Sequence, residues 1–223
     1  NGIDAHKAWK FSVGTRDVRA GVIDSGISNH QDLAANLDDG YDFYNENAIT
    51  NDDSVGHGTS VAGIIGAVGN NGMGVSGVNQ KVTIVPLQID GIASEDCDFR
   101  SNVINNAIQY ATNTWLGDEK ISVLNFSISG FGIADAIKSH IEAFPGLFVW
   151  SAGNKGENVD LKENISEFNL DNLISVGAHD RSNERSVWNS IESSNYGNAV
   201  DVFAPGGGIP SGNQDCYTTS AES

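Results

Sequence analysis

Val18-Arg-Ala-Gly-Val-Ile-Asp-Ser-Gly26, "VRAGVIDSG", is the stretch that decides the fold. Val18 to Ile23 is a short, nearly continuous apolar run, which suits a strand buried on both faces. Asp24-Ser-Gly then ends that strand with a polar turn. Outward from it, the same alternation of elements recurs. "HGTSVAGIIGAV" (His57 to Val68) reads as a helix with small residues on its packing face, and "VTIVPLQI" (Val82 to Ile89) as a second strand. Phe99 to Trp115 is an amphipathic helix, with Phe99, Val103, Ile104, Ala107, Ile108, Ala111 and Trp115 at helical spacing. Ile121 to Ser127 is a strand, and Ile133 to Phe144 a helix that stops before Pro145 and Gly146. Leu147 to Ser151, Leu173 to Ala178 and Val200 to Ala204 complete the strands. Strands alternating with helices predict an α/β fold: a doubly wound, mostly parallel sheet with helices on both faces. No repeat or linker divides the chain, so residues 1–223 read as a single domain.

Charge limits the partners. Twelve basic residues face 29 acidic ones, a net of −17. That argues against nucleic acid and against an anionic membrane surface. No run approaches the roughly 18 apolar residues of a membrane span. "NGIDAHKAWK" lacks the apolar block of a signal peptide, which leaves the compartment open. Cys97 and Cys216 are too few for a disulfide framework, and both a single bridge and two free thiols stay open.

In open parallel sheets the ligand site lies beyond the carboxyl ends of the strands. Asp24 follows the first strand. Ser127-Ile-Ser-Gly130 follows the strand that begins at Ile121, and Ser151-Ala-Gly-Asn154 closes the one that begins at Leu147. His57 opens its helix after the loop "NDDSVG", whose acidic residues read as solvated. All four sites share one predicted edge. Their chemistry is complementary. Asp orients an imidazole, His serves as general base and then acid, and an Asn amide donates to a developing oxyanion.

"VIDSGI", "GHGTSVAGIIGA" and "SAGN", in that order, resemble the subtilisin-like serine proteases, over nearly the whole chain. The resemblance implies a three-layer subtilisin-like fold that stops short of the family's closing helices. It implies that Asp24 orients the base, His57 is the base and Asn154 the oxyanion donor. It also implies that Ser127, Ile128, Ser129 and Gly130 form an edge that pairs with an extended peptide or protein substrate. Ser129 stands where the family usually has Gly, which predicts a narrower pocket. Ser151, Ala152 and Gly153 would line the opposite wall. "HQDL" and "GNNGMGV" imply a structural calcium site, with Asp32 and Asn71 giving side-chain oxygens and Gly69, Met73 and Val75 giving carbonyls. No organic cofactor is expected. "GMGVSG" matches a dinucleotide fingerprint but follows a predicted helix rather than a strand, and no zinc motif is present.

The nucleophile motif of that family, G-T-S-x-A-x-P, has no match. Ser220 in "TTSAES" lacks the preceding Gly and the following Pro, and Ser223 has no motif around it. The expectation is a nucleophile just beyond Ser223, supplied by further chain or a C-terminal fragment, with a pro-segment as another partner. By itself the 223-residue chain is then inactive. Two other readings compete. One is a non-catalytic peptide-binding or scaffold module on the same fold; the other is a peptide-maturing or macrocyclising relative. Secretion is favoured over the cytoplasm. The sequon Asn164-Ile-Ser166 has meaning only in a secreted eukaryotic protein.

Overall fold

The computed structural model describes residues 3–48, 52–89, 97–128, 134–161 and 170–208. The predicted strands and helices all form, and their bounds move by no more than two residues. The α-helices and strands of the described residues are, in chain order, α1 (Ala5–Ala8), β1 (Arg19–Asp24), β2 (Tyr41–Asp42), β3 (Asn47–Ala48), α2 (His57–Gly66), β4 (Thr83–Gln88), α3 (Cys97–Thr114), β5 (Ile121–Phe126), α4 (Ala134–Ala143), β6 (Leu147–Ser151), β7 (Leu173–His179) and β8 (Val202–Pro205). The sequence did not reveal α1, β2 or β3. Each is too short to show a period.

One sheet holds all eight strands in the order β3-β2-β4-β1-β5-β6-β7-β8. Every pairing is parallel except the β2–β3 hairpin. From β1 the chain passes to β2 and β3 at one edge, returns to β4 beside β1, crosses to β5 on the other side of β1 and then proceeds strand by strand to β8. β1 is therefore the switch point, with β4 on one side and β5 on the other.

Alternate residues of β1 and β4 feed two cores. Ala20, Val22, Val82 and Ile84 pack with Ala62 and Ala67 around α2. Ile23, Val85, Leu87 and Ile89 face the other way, onto Ile104 and Ile108 of α3, and that core continues through Ile137 and Ile141 of α4. This period of two separates the layers. Burying each large aliphatic side chain contributes about 1.5–3 kcal/mol. Phe126, Phe148 and Trp150 close the second core with ring centroids 5.3–6.1 Å apart. β8 departs from the expected buried strand. Val202 and Phe203 are exposed, and among the described residues β7 alone pairs with β8.

Small residues let α2 lie close to β1. A Cβ on Gly58 would stand 2.1 Å from the Gly26 carbonyl oxygen and 3.1 Å from the Asp24 Cβ. The start of the helix can therefore touch the strand end, and His57 comes within reach of Asp24.

Candidate active site

Asp24, the last residue of β1, is 1% exposed. His57 is the first residue of α2, and its Nδ1 lies 2.7 Å from Asp24 Oδ1. The same oxygen accepts the Ser25 N–H at 2.8 Å. Asp24 Oδ2 is buried and has no hydrogen-bond partner among the described residues. A carboxylate can only accept. The shared proton therefore belongs to Nδ1, and Nε2 keeps a free lone pair. The hydrogen bond to Asp24 raises His57 above the usual 6.5; burial opposes this, and the charges of Asp24 and Asp53 add to it. The His57 side chain is 49% exposed, so its free nitrogen is open to a substrate.

Asp53 was expected in a solvated loop, but it is 4% exposed. Its carboxylate is saturated by donors. Oδ1 accepts the Ser25 hydroxyl and the Gly56 N–H, each at 2.8 Å. Oδ2 accepts the Thr59 N–H at 2.8 Å and the Thr59 hydroxyl. Ser25 Oγ in turn accepts the Gly58 N–H at 3.0 Å. N–H groups of the first turn of α2 are thus satisfied by a side-chain network from β1 and the preceding loop, with the anion at the positive end of the helix. Asp53 lies three residues before the N-cap Gly56, so no local capping signal marked it in the sequence.

Asn154 lies in the exposed turn after β6, on the same sheet edge as Asp24. Gly153 before it has φ +106°, a backbone conformation that favours glycine. The Asn154 carbonyl accepts the Ser193 N–H at 3.0 Å. Asn195 holds the rest of the turn. Its Oδ1 accepts the N–H groups of Lys155 and Glu157, each at 3.0 Å, and its Nδ2 donates to the Ala152 carbonyl at 2.8 Å. Sequence reasoning missed Asn195, because an Asn in "SSNYG" has no local signature and its partners are about 40 residues away.

The model of the subtilase family matches residues 15–223. The chain belongs to the subtilase family. It is 31% identical to thermitase of Thermoactinomyces vulgaris, an alignment that covers 93% of this chain and 69% of that protein. It is 29% identical to an extracellular protease of Xanthomonas campestris pv. campestris, over 93% of this chain but only 40% of that protein. Among solved structures, a lanthipeptide protease superposes with a TM-score of 0.70 at 27% identity, covering 93% of this chain and 60% of that one. The subtilase chain thus spans 69% of one of these two curated relatives and 40% of the other.

The residues expected to form the substrate edge of this subtilase are described in part. Ser127 Oγ accepts the Asn125 amide at 2.9 Å, and the Trp150 indole donates to the Ile128 carbonyl at 2.8 Å. Trp150 therefore pins the segment after β5 to β6. Ala152 and Gly153 are buried and Ser151 is half-buried. Ser129, Gly130, Asn164, Cys216, Ser220 and Ser223 lie outside the described residues, as does the Cys97 side chain. The GMGVSG segment (Gly72 to Gly77) lies between α2 and β4, so a helix precedes it and a strand follows, the reverse of the dinucleotide arrangement.

Asp32 is fully buried beneath the 69–75 loop. Its Oδ1 accepts the Asn71 amide at 2.6 Å and its Oδ2 the Val75 N–H at 2.8 Å. Asn71 Oδ1 accepts the Met73 N–H at 3.2 Å. Gly74 has φ +52°, and a Cβ there would stand 2.1 Å from Asp32 Oδ2. Gly69 packs against Gln80. N–H groups thus answer the carboxylate in this geometry. Among the described residues, no group of three or more His, Cys, Asp or Glu side chains is placed to hold a metal. No helix among them is long and apolar enough to cross a membrane.

Proposed function

We propose that this subtilase is a serine endopeptidase acting on extended peptide. The Asp24–His57 pair at the switch point carries the reading. A serine from outside the described residues is the nucleophile. His57 Nε2 takes the proton from its hydroxyl as the oxygen attacks the scissile carbonyl, and then returns that proton to the leaving amine. Asp24 holds Nδ1–H and stabilises the imidazolium. Asn154 donates to the oxyanion. Ser127 to Gly130 receive the substrate as an added strand, with Ser151 to Gly153 as the facing wall.

The test is a fluorophosphonate applied to the natural protein that contains these residues, followed by peptide mapping. A label on one serine, lost in His57→Ala, is expected. A folded protein with no label supports the alternative, a peptide-binding module on the same fold. Likeness to a lanthipeptide protease favours a second reading, selective peptide maturation, which a peptide-library cleavage profile would reveal as a narrow preference. The extracellular Xanthomonas relative supports secretion.

Calcium binding at Asp32 is part of the proposal. It requires the Asn71 amide to turn so that Oδ1 faces the cation beside Asp32, with the carbonyls of Gly69, Met73 and Val75 completing an oxygen-only set. The turn also gives up the Met73 N–H bond to Asn71 Oδ1, so the loop must re-form around the cation. Bound calcium would brace the loop after α2.

A further inference from the structure

We propose that Asn195 is a positioning residue for the oxyanion donor: it shapes the turn that presents Asn154 and acts on catalysis through it. This deepens the endopeptidase reading and rests on Asn154 donating to the oxyanion.

Asn195 is 7% exposed. Its side chain and N–H grip residues on both sides of Asn154. The amide oxygen accepts from Lys155 and Glu157, the amide nitrogen donates to Ala152, and the backbone N–H donates to the Gly153 carbonyl at 2.8 Å. The Asn195 carbonyl accepts the Ser194 hydroxyl at 3.0 Å. None of these bonds involves the Asn154 side chain, and Asn154 is exposed. The turn has a specific shape: Gly153 sits at φ +106°, the N–H groups of Lys155 and Glu157 converge on one acceptor, and that of Gly156 between them goes to the Ser193 carbonyl. Ala152 N–H, bonded to the Val176 carbonyl at 2.8 Å, anchors the other end to the sheet.

The clamp is itself backed. Arg185 Nη1 donates to Ser193 Oγ at 2.9 Å and to the Ser194 carbonyl at 2.7 Å, and its guanidinium lies 5.1 Å over the Tyr196 ring. Asparagine suits the position because one planar group accepts twice and donates once. A carboxylate would set a lone pair against the Ala152 carbonyl. An alanine would leave two N–H groups and a carbonyl without partners.

An oxyanion donor is effective only where it already points at the developing charge, and a displacement of about 1 Å costs up to about a hundredfold in rate. The test uses the natural full-length protein. It measures kcat and KM on a peptide p-nitroanilide, and affinity for a peptide aldehyde against the matching alcohol. The aldehyde carbon bonds to the serine oxygen and places its own oxygen in the oxyanion position; the alcohol cannot. Asn195→Ala is expected to lower kcat and aldehyde affinity by about 10- to 100-fold, with KM and alcohol affinity changed by less than about twofold. In an Asn154→Ala background the same substitution is expected to add less than about twofold, because both act through one group.

Equal losses for aldehyde and alcohol, or a full additional loss in the Asn154→Ala background, would overturn the proposal. If Asn154→Ala alone leaves kcat within about twofold, the oxyanion assignment fails first and takes this proposal with it. Should Asn195→Ala not fold, Asn195→Gln carries the same comparison, since it adds no charge but moves the amide by one methylene from its contacts with Lys155, Glu157 and Ala152.

Discussion

The two halves of the site are built from opposite materials. On the β1 side, two buried carboxylates, Asp24 and Asp53, surround the start of α2 and its histidine. On the β6 side, the turn that bears Asn154 is held by a neutral amide, Asn195, and by backbone hydrogen bonds. The difference follows the charges that peptide hydrolysis creates. On the proposed reading the base would become a cation and be met by anions, and the carbonyl oxygen would become an anion and be met by N–H donors in a turn that, among the described residues, has no buried carboxylate bonded to it. An anion at the second site would oppose the reaction, and a neutral group at the first would leave the imidazolium unsupported.

The sharpest way to break this contrast is Asp24→Asn. An amide can offer an N–H to Nδ1 and so favour the wrong tautomer. The expected outcome is a fall in kcat of roughly 10⁴-fold, the size seen for that change in a worked triad enzyme, with KM little altered. A loss below about tenfold would mean that Asp24 does not control the base.

Asp53→Asn tests the second anion. Its amide would set N–H groups against those of Gly56 or Thr59, and a buried mismatch of that kind costs about 1–3 kcal/mol, readable as a lower midpoint in denaturant. It also moves the pH profile. His57 acts as a base only when neutral, so the acid limb of kcat/KM rises through its raised value, above 6.5. Removing a nearby anion lowers that value, so the limb shifts toward lower pH. A limb that stays in place or moves up would show that the Asp53 charge does not reach the imidazole.

The smallest effect is expected at Asp160, on the neutral side. It is solvent-exposed and accepts the N–H groups of Asn198 at 2.8 Å and Ala199 at 2.9 Å, bonds that hold the segment just after Asn195. The Asn198 N–H, followed by that of Ala199, lowers its pKa below the usual 3.8. A depressed carboxylate stabilises the fold above its unfolded value, and that stabilisation is lost as pH falls through the folded value. Asp160→Asn is therefore expected to lower Tm slightly at neutral pH, with the difference closing below about pH 3.8. A difference that persists into strong acid would show that its charge is not what holds the segment.

Much of this architecture was legible before any coordinates. β1, β4 and β5 appear as apolar runs, α3 as a spaced stripe, and α4 ends where proline and glycine end it. Asp24, His57 and Asn154 stand at the strand and helix ends where the sequence pattern put them. β2 and β3 were not legible, since two-residue strands exist only through their neighbours. The acidic loop was misjudged for a related reason. Charge alone suggests solvent, and only the donors around a carboxylate show that it can be buried.

The sequence by itself determined the order of strands and helices, the α/β class and the three polar residues at the sheet edge, because periodicity and end signals act within a few residues. The tertiary structure decided how that edge is held. Asp53 is buried because the Ser25 hydroxyl arrives from 28 residues away, and Asn195 grips the Asn154 turn from about 40 residues away. Those partnerships arise from the crossovers of the parallel sheet, which bring distant polar groups together where water is excluded and each must find a donor or acceptor.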